Sequence, residues 1–344
     1  MKSSLALVAG VVAAVTLTAC GEANDGTAAV EAGATDGTAT GGAAAGEAAL
    51  QVAAGFYPLE YLVSRVGGER VEVVGLTPPG AEAHDLELTA DSLVTLTDAD
   101  LLVYLETFQP AVDDAVASRS GPSLDLGAVA TREYAEGEGD SHDHGGEDEH
   151  AHEGEETHEG EETHEDDHAH GATDPHFWTD PTVMAEAASL VRDALTEADP
   201  EGSDTYAANA DALVGELEVL DATAEEALTS CDTTTLVTAH DAFGYFADRY
   251  GFESAPISGL SPEDEPSPAE LATITDLVND RGITTVYTET LIPTDLADTV
   301  AAETGAATAV LDPVEGITDE SPGDDYLSVM EANIDTVVDG QQCG

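Results

Sequence analysis

The sequence predicts an α/β protein of two lobes, each with a parallel sheet flanked by helices, joined by a long helix. Three observations carry this. Apolar, β-branched runs such as VEVVGL (71–76) and DLLVYL (100–105) alternate with segments of helical period, the mark of βαβ units. The alternation occurs twice, over 50–202 and again over 231–344. Between them, within 203–230, Tyr206, Ala210, Leu213, Leu217, Leu220, Ala224 and Ala227 recur at steps of four and three. So alanine-rich a seam suits one long helix lying on a globular body better than a coiled coil.

The first lobe opens with strand LQVAAG (50–55). The helix after it shows Leu59, Leu62, Val63 and Val66 on one face and stops at Gly67-Gly68. A second strand, 71–76, runs into the loop TPPGAEAHDLELT with His84. A helix near 89–97, the wholly apolar strand 100–105, a helix near 109–118 and a short strand SLDLG follow. Strands apolar on both sides are expected where helices cover both sheet faces. No glycine loop suited to phosphate appears. Residues 136–173 hold a tract of Glu, Asp, His and Gly without apolar period, expected to be disordered. DPHFWTDP comes next; Asp180 reads as the N-cap and Pro181 as the first residue of a helix with Val183, Ala187, Val191 and Leu195 inward.

The second lobe repeats the pattern. Strand TTLVTA (234–239) ends at His240, and the following helix is closed by Gly251. ESAPIS is a strand; Ser267-Pro268-Ala269-Glu270 is a capping box opening a helix that buries Leu271, Ile274, Leu277 and Val278. Strand ITTVYTE (283–289), a helix over 294–304, strand ATAVLDP with Asp312 at its end, and an amphipathic helix near 325–338 complete it.

Residues 1–19 have the form of a secretory signal, with Lys2 ahead of an apolar core from Leu5 to Leu17 that is too short to span a membrane. LTAC at 17–20 resembles a bacterial lipobox, which implies lipid on Cys20. Residues 20–49, rich in Gly, Ala and Thr, then read as a flexible tether. Lys2 is the sole lysine, and 72 acids give a formal net charge of −64. That balance argues against nucleic acid or an anionic bilayer as partner and favours attraction of cations. It also suggests a salty habitat. In an exported chain, Cys231 and Cys343 suggest a disulfide, with a pair of soft metal ligands as the alternative.

Histidine carries the functional signal. Of 11, eight fall in the acidic tract: His142, His144, His150, His152, His158, His164, His168 and His170. Short tracts of this kind bind metal by composition. The other three, His84, His176 and His240, stand apart on ordered-looking segments at loops or strand ends. Each alone reads more readily as a packed or capping histidine. Together, with Asp312 at a strand end, they can meet in one crevice at the carboxyl ends of the strands, and three imidazoles with a carboxylate suit tetrahedral zinc. Glu289 and Glu82 are equally available acids.

At these residues the chain resembles the metal-binding lipoproteins of bacterial ABC importers for zinc and manganese, a periplasmic-binding-protein-like class. GAEAHDLELT, DPHFWTDP, TAHDAFGYFADRYG and EPSPAEL occur in order across roughly 50–340. The resemblance implies two α/β lobes bridged by a rigid helix. It implies Zn2+ held by His84, His176 and His240, with the fourth place, a carboxylate or water, falling on Asp312; on the residues alone Glu289 stays open for that place. A histidine at the third position and a His-rich loop before DPHFW imply the zinc branch. The chain departs from the pattern in lacking lysine in its mature part and in having AEAH where a proline often precedes the histidine. The expected protein is a non-enzymatic monomer anchored outside the cell membrane, delivering Zn2+ to an ABC permease and its ATPase, with the tract as accessory collector. The alternatives are a manganese or iron importer component, a surface metal-binding adhesin, and a zinc hydrolase, which lacks an HExxH motif to support it.

Overall fold

A computed structural model describes residues 49–134 and 173–344. The first half holds a four-stranded parallel sheet of β1 (Leu50–Ala54), β2 (Val71–Gly75), β3 (Leu101–Tyr104) and β4 (Ser123–Asp125), in the order β2-β1-β3-β4. Its helices are α1 (Tyr57–Gly67), α2 (Ala90–Asp98) and α3 (Pro110–Val116), and α4 (Pro181–Ala198) follows the acidic tract. The 25-residue helix α5 (Ser203–Ala227) leads to the second half. There β5 (Thr235–Leu236) pairs in parallel with β6 (Glu253–Ser254), and β7 (Thr285–Thr288) with β8 (Ala307–Val310). A parallel bridge between Val237 and Val286 joins the two ribbons, giving the order β6-β5-β7-β8. Both halves therefore wind alike. The helices of the second half are α6 (Gly244–Tyr250), α7 (Pro268–Arg281), α8 (Asp295–Thr304) and α9 (Tyr326–Gly340).

The local signals act as expected. Asp180 accepts from the Thr182 N–H at the start of α4, and Ser267 and Glu270 form a reciprocal capping box on α7. Gly251 ends α6 in the left-handed conformation, as read, and Gly282 and Gly305 end α7 and α8 in the same way. Two details differ from expectation. The strands β5 and β6 are only two residues long, and α6 starts at Gly244 rather than directly after His240. The residues between β5 and α6 stay irregular, and they carry a functional side chain.

The apolar core is not divided between the halves. One cluster runs from Val52, Phe56 and Leu62 through Trp178, Tyr206 and Leu217 to Phe243, Tyr326 and Val337. Smaller clusters cover the far face of each sheet. The Cys231–Cys343 disulfide is present and ties the residues after α5 to the end of the chain, 112 positions on. Every arginine is engaged. Arg65, Arg70, Arg132, Arg192, Arg249 and Arg281 pair with carboxylates. Arg119 donates to main-chain carbonyls, among them Thr97 and Pro122. Among the described residues no helix is long and apolar enough to cross a membrane.

Candidate metal centre

Four loops meet where the two halves face each other. His84 lies after β2, His176 leads into α4, His240 follows β5, and Glu315 follows β8. One donor atom from each can be chosen so that all four lie within 4.8 Å of one another. The Glu315 Oε1 stands 3.5 Å from His84 Nε2, 3.4 Å from His176 Nε2 and 3.2 Å from His240 Nε2. With metal–ligand bonds of about 2.0–2.2 Å, the edge of a zinc tetrahedron is ~3.3 Å. These four atoms are buried and have no hydrogen-bond partner. Buried polar atoms are normally satisfied, so four orphans converging on one point form a set of donors for a cation.

Each imidazole is aimed by its surroundings. Glu289 accepts from His240 at Nδ1, 2.8 Å away, and from the His240 main-chain N–H. Asp174 does the same for His176, with Nδ1 at 2.9 Å. A carboxylate on Nδ1 fixes the tautomer that leaves Nε2 free for metal and makes that nitrogen a stronger donor. Asp174 is itself held by Arg132, which also pairs with Asp248 of α6. The His84 loop is tied differently. Buried Gln109 donates to the Ala83 carbonyl and to Thr77, whose hydroxyl reaches the Gly55 carbonyl. A Cβ at Gly55 would lie 2.7 Å from Gln109 Oε1, so a larger residue there would displace the Gln109 amide. The His84 ring rests edge-on against Phe108.

Electrostatics follow from this crowding. Burial alone disfavours imidazolium, but Asp174 and Glu315 outweigh it and hold the His176 pKa above its ordinary value. For His240, Glu289 and Glu315 overcome burial more strongly still. Burial by itself raises the Glu315 pKa, yet the three imidazoles bring it well below the usual carboxylate range. At His176 and His240 the neighbouring carboxylates therefore favour a bound cation, a proton included.

The structure brings together the three predicted histidines but not Asp312. That carboxylate accepts from the Val314 N–H at 2.8 Å and, on its other oxygen, from the Thr290 hydroxyl at 3.1 Å, so both its oxygens are already engaged. Glu315, three residues on, is the acid that reaches the imidazoles. Glu289 sits behind His240, and Glu82 caps the main-chain N–H groups of His84 and Asp85. The eight tract histidines and Cys20 lie outside the described residues.

Two α/β halves of like winding, a bridging helix and a buried three-histidine, one-carboxylate set define a metal-binding α/β protein. The chain belongs to the family described as zinc-uptake complex component A, periplasmic, whose family model matches residues 52–340. It is 35% identical over 292 residues to the zinc-binding lipoprotein AdcA of Streptococcus pneumoniae, a match covering 83% of this chain and 54% of that one. The chain thus spans about half the length of these streptococcal relatives. It is 29% identical to the high-affinity zinc uptake system protein ZnuA of Bacillus subtilis, over 84% and 87% of the two chains. Among solved structures, Zn(II)-bound AdcA of S. pneumoniae superposes with a TM-score of 0.67 at 28% identity, covering 86% of this chain and 58% of that one. The laminin-binding protein Lmb of Streptococcus agalactiae, described as having adhesin and metal-transporting activity, gives 0.71 at 26%, covering 86% and 100%.

Proposed function

We propose that this chain captures Zn2+ extracytoplasmically through His84, His176, His240 and Glu315 and delivers it to an ABC permease and its ATPase. The observation that carries the reading is the group of four orphaned buried donor atoms, with the carboxylate oxygen at tetrahedral-edge distances from three imidazole nitrogens. Three nitrogens and one oxygen favour zinc; manganese prefers six oxygen-rich ligands. Four protein donors also close the coordination sphere, whereas a hydrolytic zinc keeps one position for water. Binding and release, not hydrolysis, is the chemistry such a site performs. The zinc-uptake names of the family and of its relatives support the same reading.

Around this core, the N-terminal segment is the export signal, and Cys20 carries the lipid that holds a monomer at the outer face of the cell membrane. The eight histidines of 136–173 serve as a weaker accessory collector. Competition titration of metal-stripped protein tests the whole. One tight Zn2+ per chain is expected, with manganese failing to displace it and His176→Ala/His240→Ala abolishing it. Deleting 137–171 is expected to lower total zinc uptake while sparing the tight site. Tight binding that survives the double histidine substitution, or manganese held equally well, would sink the proposal.

A further inference from the structure

The segment Leu311–Gly316 belongs to no helix or strand, yet four main-chain polar groups at its centre, on Asp312, Pro313 and Val314, are held by side chains. Asn333 on α9 accepts from the Asp312 N–H at 3.0 Å and donates to the Asp312 carbonyl at 2.7 Å. The Trp178 indole donates to the Pro313 carbonyl at 2.7 Å. Asp312 Oδ1 takes the Val314 N–H, and Thr290 anchors the other oxygen. Within this frame Val314 has φ of 62°. A β-branched residue there is a true outlier, since its Cβ crowds the carbonyl that follows. Such strain persists only where the surroundings over-determine it. The next residue is Glu315.

We propose that Asp312 is a positioning residue that locks Val314 in the left-handed conformation and thereby aims Glu315 into the three imidazoles. The inference rests on the site reading above and deepens it. Main chain turned left-handed at 314 delivers the Glu315 carboxylate to the site; with Val314 relaxed to negative φ, the chain leaves in another direction. A fixed carboxylate presents its oxygen before the ion arrives, so little ordering is left for the binding step. Side chains that orient metal ligands typically contribute 10–100-fold to affinity. Asp312 is expected to do so without touching the ion.

A double-mutant cycle on zinc affinity, read by a competing chelator, tests this. Asp312→Ala is expected to weaken binding about 10-fold or more. Asp312→Asn is expected to restore most of it, because its amide oxygen still accepts the Val314 N–H. In a Glu315→Ala background, Asp312→Ala is expected to add nothing. If Asp312→Ala fails to fold, Asn333→Ala releases the other side of the same turn and the cycle is repeated with it. Additive losses would overturn the proposal, as would an Asp312→Asn variant as weak as Asp312→Ala, the behaviour of a direct ligand. Unchanged affinity in Glu315→Ala would overturn both this inference and the site reading. A normal loss there, with Asp312→Ala silent, would overturn the inference alone.

Discussion

At the residue scale, the acids show how little an identity reveals without its backbone. His84, His176 and His240 were legible because no other histidine stands outside the tract. Glu315 was not, being one acid among 72. Asp312 and Glu315 both lie in VLDPVEG, with the left-handed Val314 between them, and Glu315 is the one that reaches the imidazoles. Glu289 was in view as a ligand and acts instead behind one. Glu289→Gln still accepts a hydrogen bond from His240 but loses the charge, so zinc affinity should fall about 10-fold, measured by competition titration. Glu60 gives a separate pH signature. Burial pushes its pKa from 4.5 to about 7. A folded pKa above the unfolded one means that its favourable contribution is complete below about 4.5 and fades as pH rises through 7. Glu60→Gln should therefore be nearly neutral at pH 4.5 and stabilising at pH 8, by about 1 kcal/mol after discounting for solvent screening. Denaturant melts at the two pH values check this.

At the element scale, the sequence signals were strongest where they were local. The caps of α4 and α7 and the glycine stops need only neighbouring residues, and they appear as read. The short β5 and β6 were over-read. Past Leu236 and Ser254 the two chains stay hydrogen-bonded, Ile257 N–H to the Thr238 carbonyl and Ser258 N–H to the Ala239 carbonyl, but no longer as regular strand, and this irregular stretch leads into His240. Contacts such as Glu289 to His240 across 49 positions have no local signature. The disulfide is a long-range element that could be read, since after Cys20 only two cysteines remain. It closes 112 positions, so the chain-entropy model assigns it about 4–5 kcal/mol. Replacing both cysteines by serine should lower the unfolding free energy by roughly 2–5 kcal/mol. Zinc affinity should stay intact in the folded fraction, because neither sulfur lies in the site. Urea titration with and without zinc separates the two effects.

At the scale of the molecule, two parallel sheets were legible as two runs of strand and helix, and both wind in the same order. The shared core was not legible, since apolar period shows which face is buried but not against what. Tyr326 of the second half donates to the Trp178 carbonyl, and Trp178 to the Pro313 carbonyl, so aromatic packing and site geometry are joined across the molecule. The charge of −64 acts on the whole body through self-repulsion. The melting temperature should climb as salt is raised from about 0.01 to 1 M, where the screening length shortens from ~30 to ~3 Å. A melting temperature indifferent to salt would show that the surface acids are neutralised some other way.

The engagement of every arginine has a kinetic consequence. With each guanidinium already held against a carboxylate or a carbonyl, little fixed positive charge is left to repel an approaching divalent ion. Surfaces of one sign can raise local counter-ion concentrations and arrival rates by roughly 10–1,000-fold. Ions would then be gathered by the surface as a whole before they find the four buried donors. The rate of zinc capture in stopped-flow mixing should fall steeply with ionic strength while the rate of escape, governed by bonds inside a buried site, stays nearly constant. Dilute surroundings would make this chain a faster scavenger, not merely a tighter one.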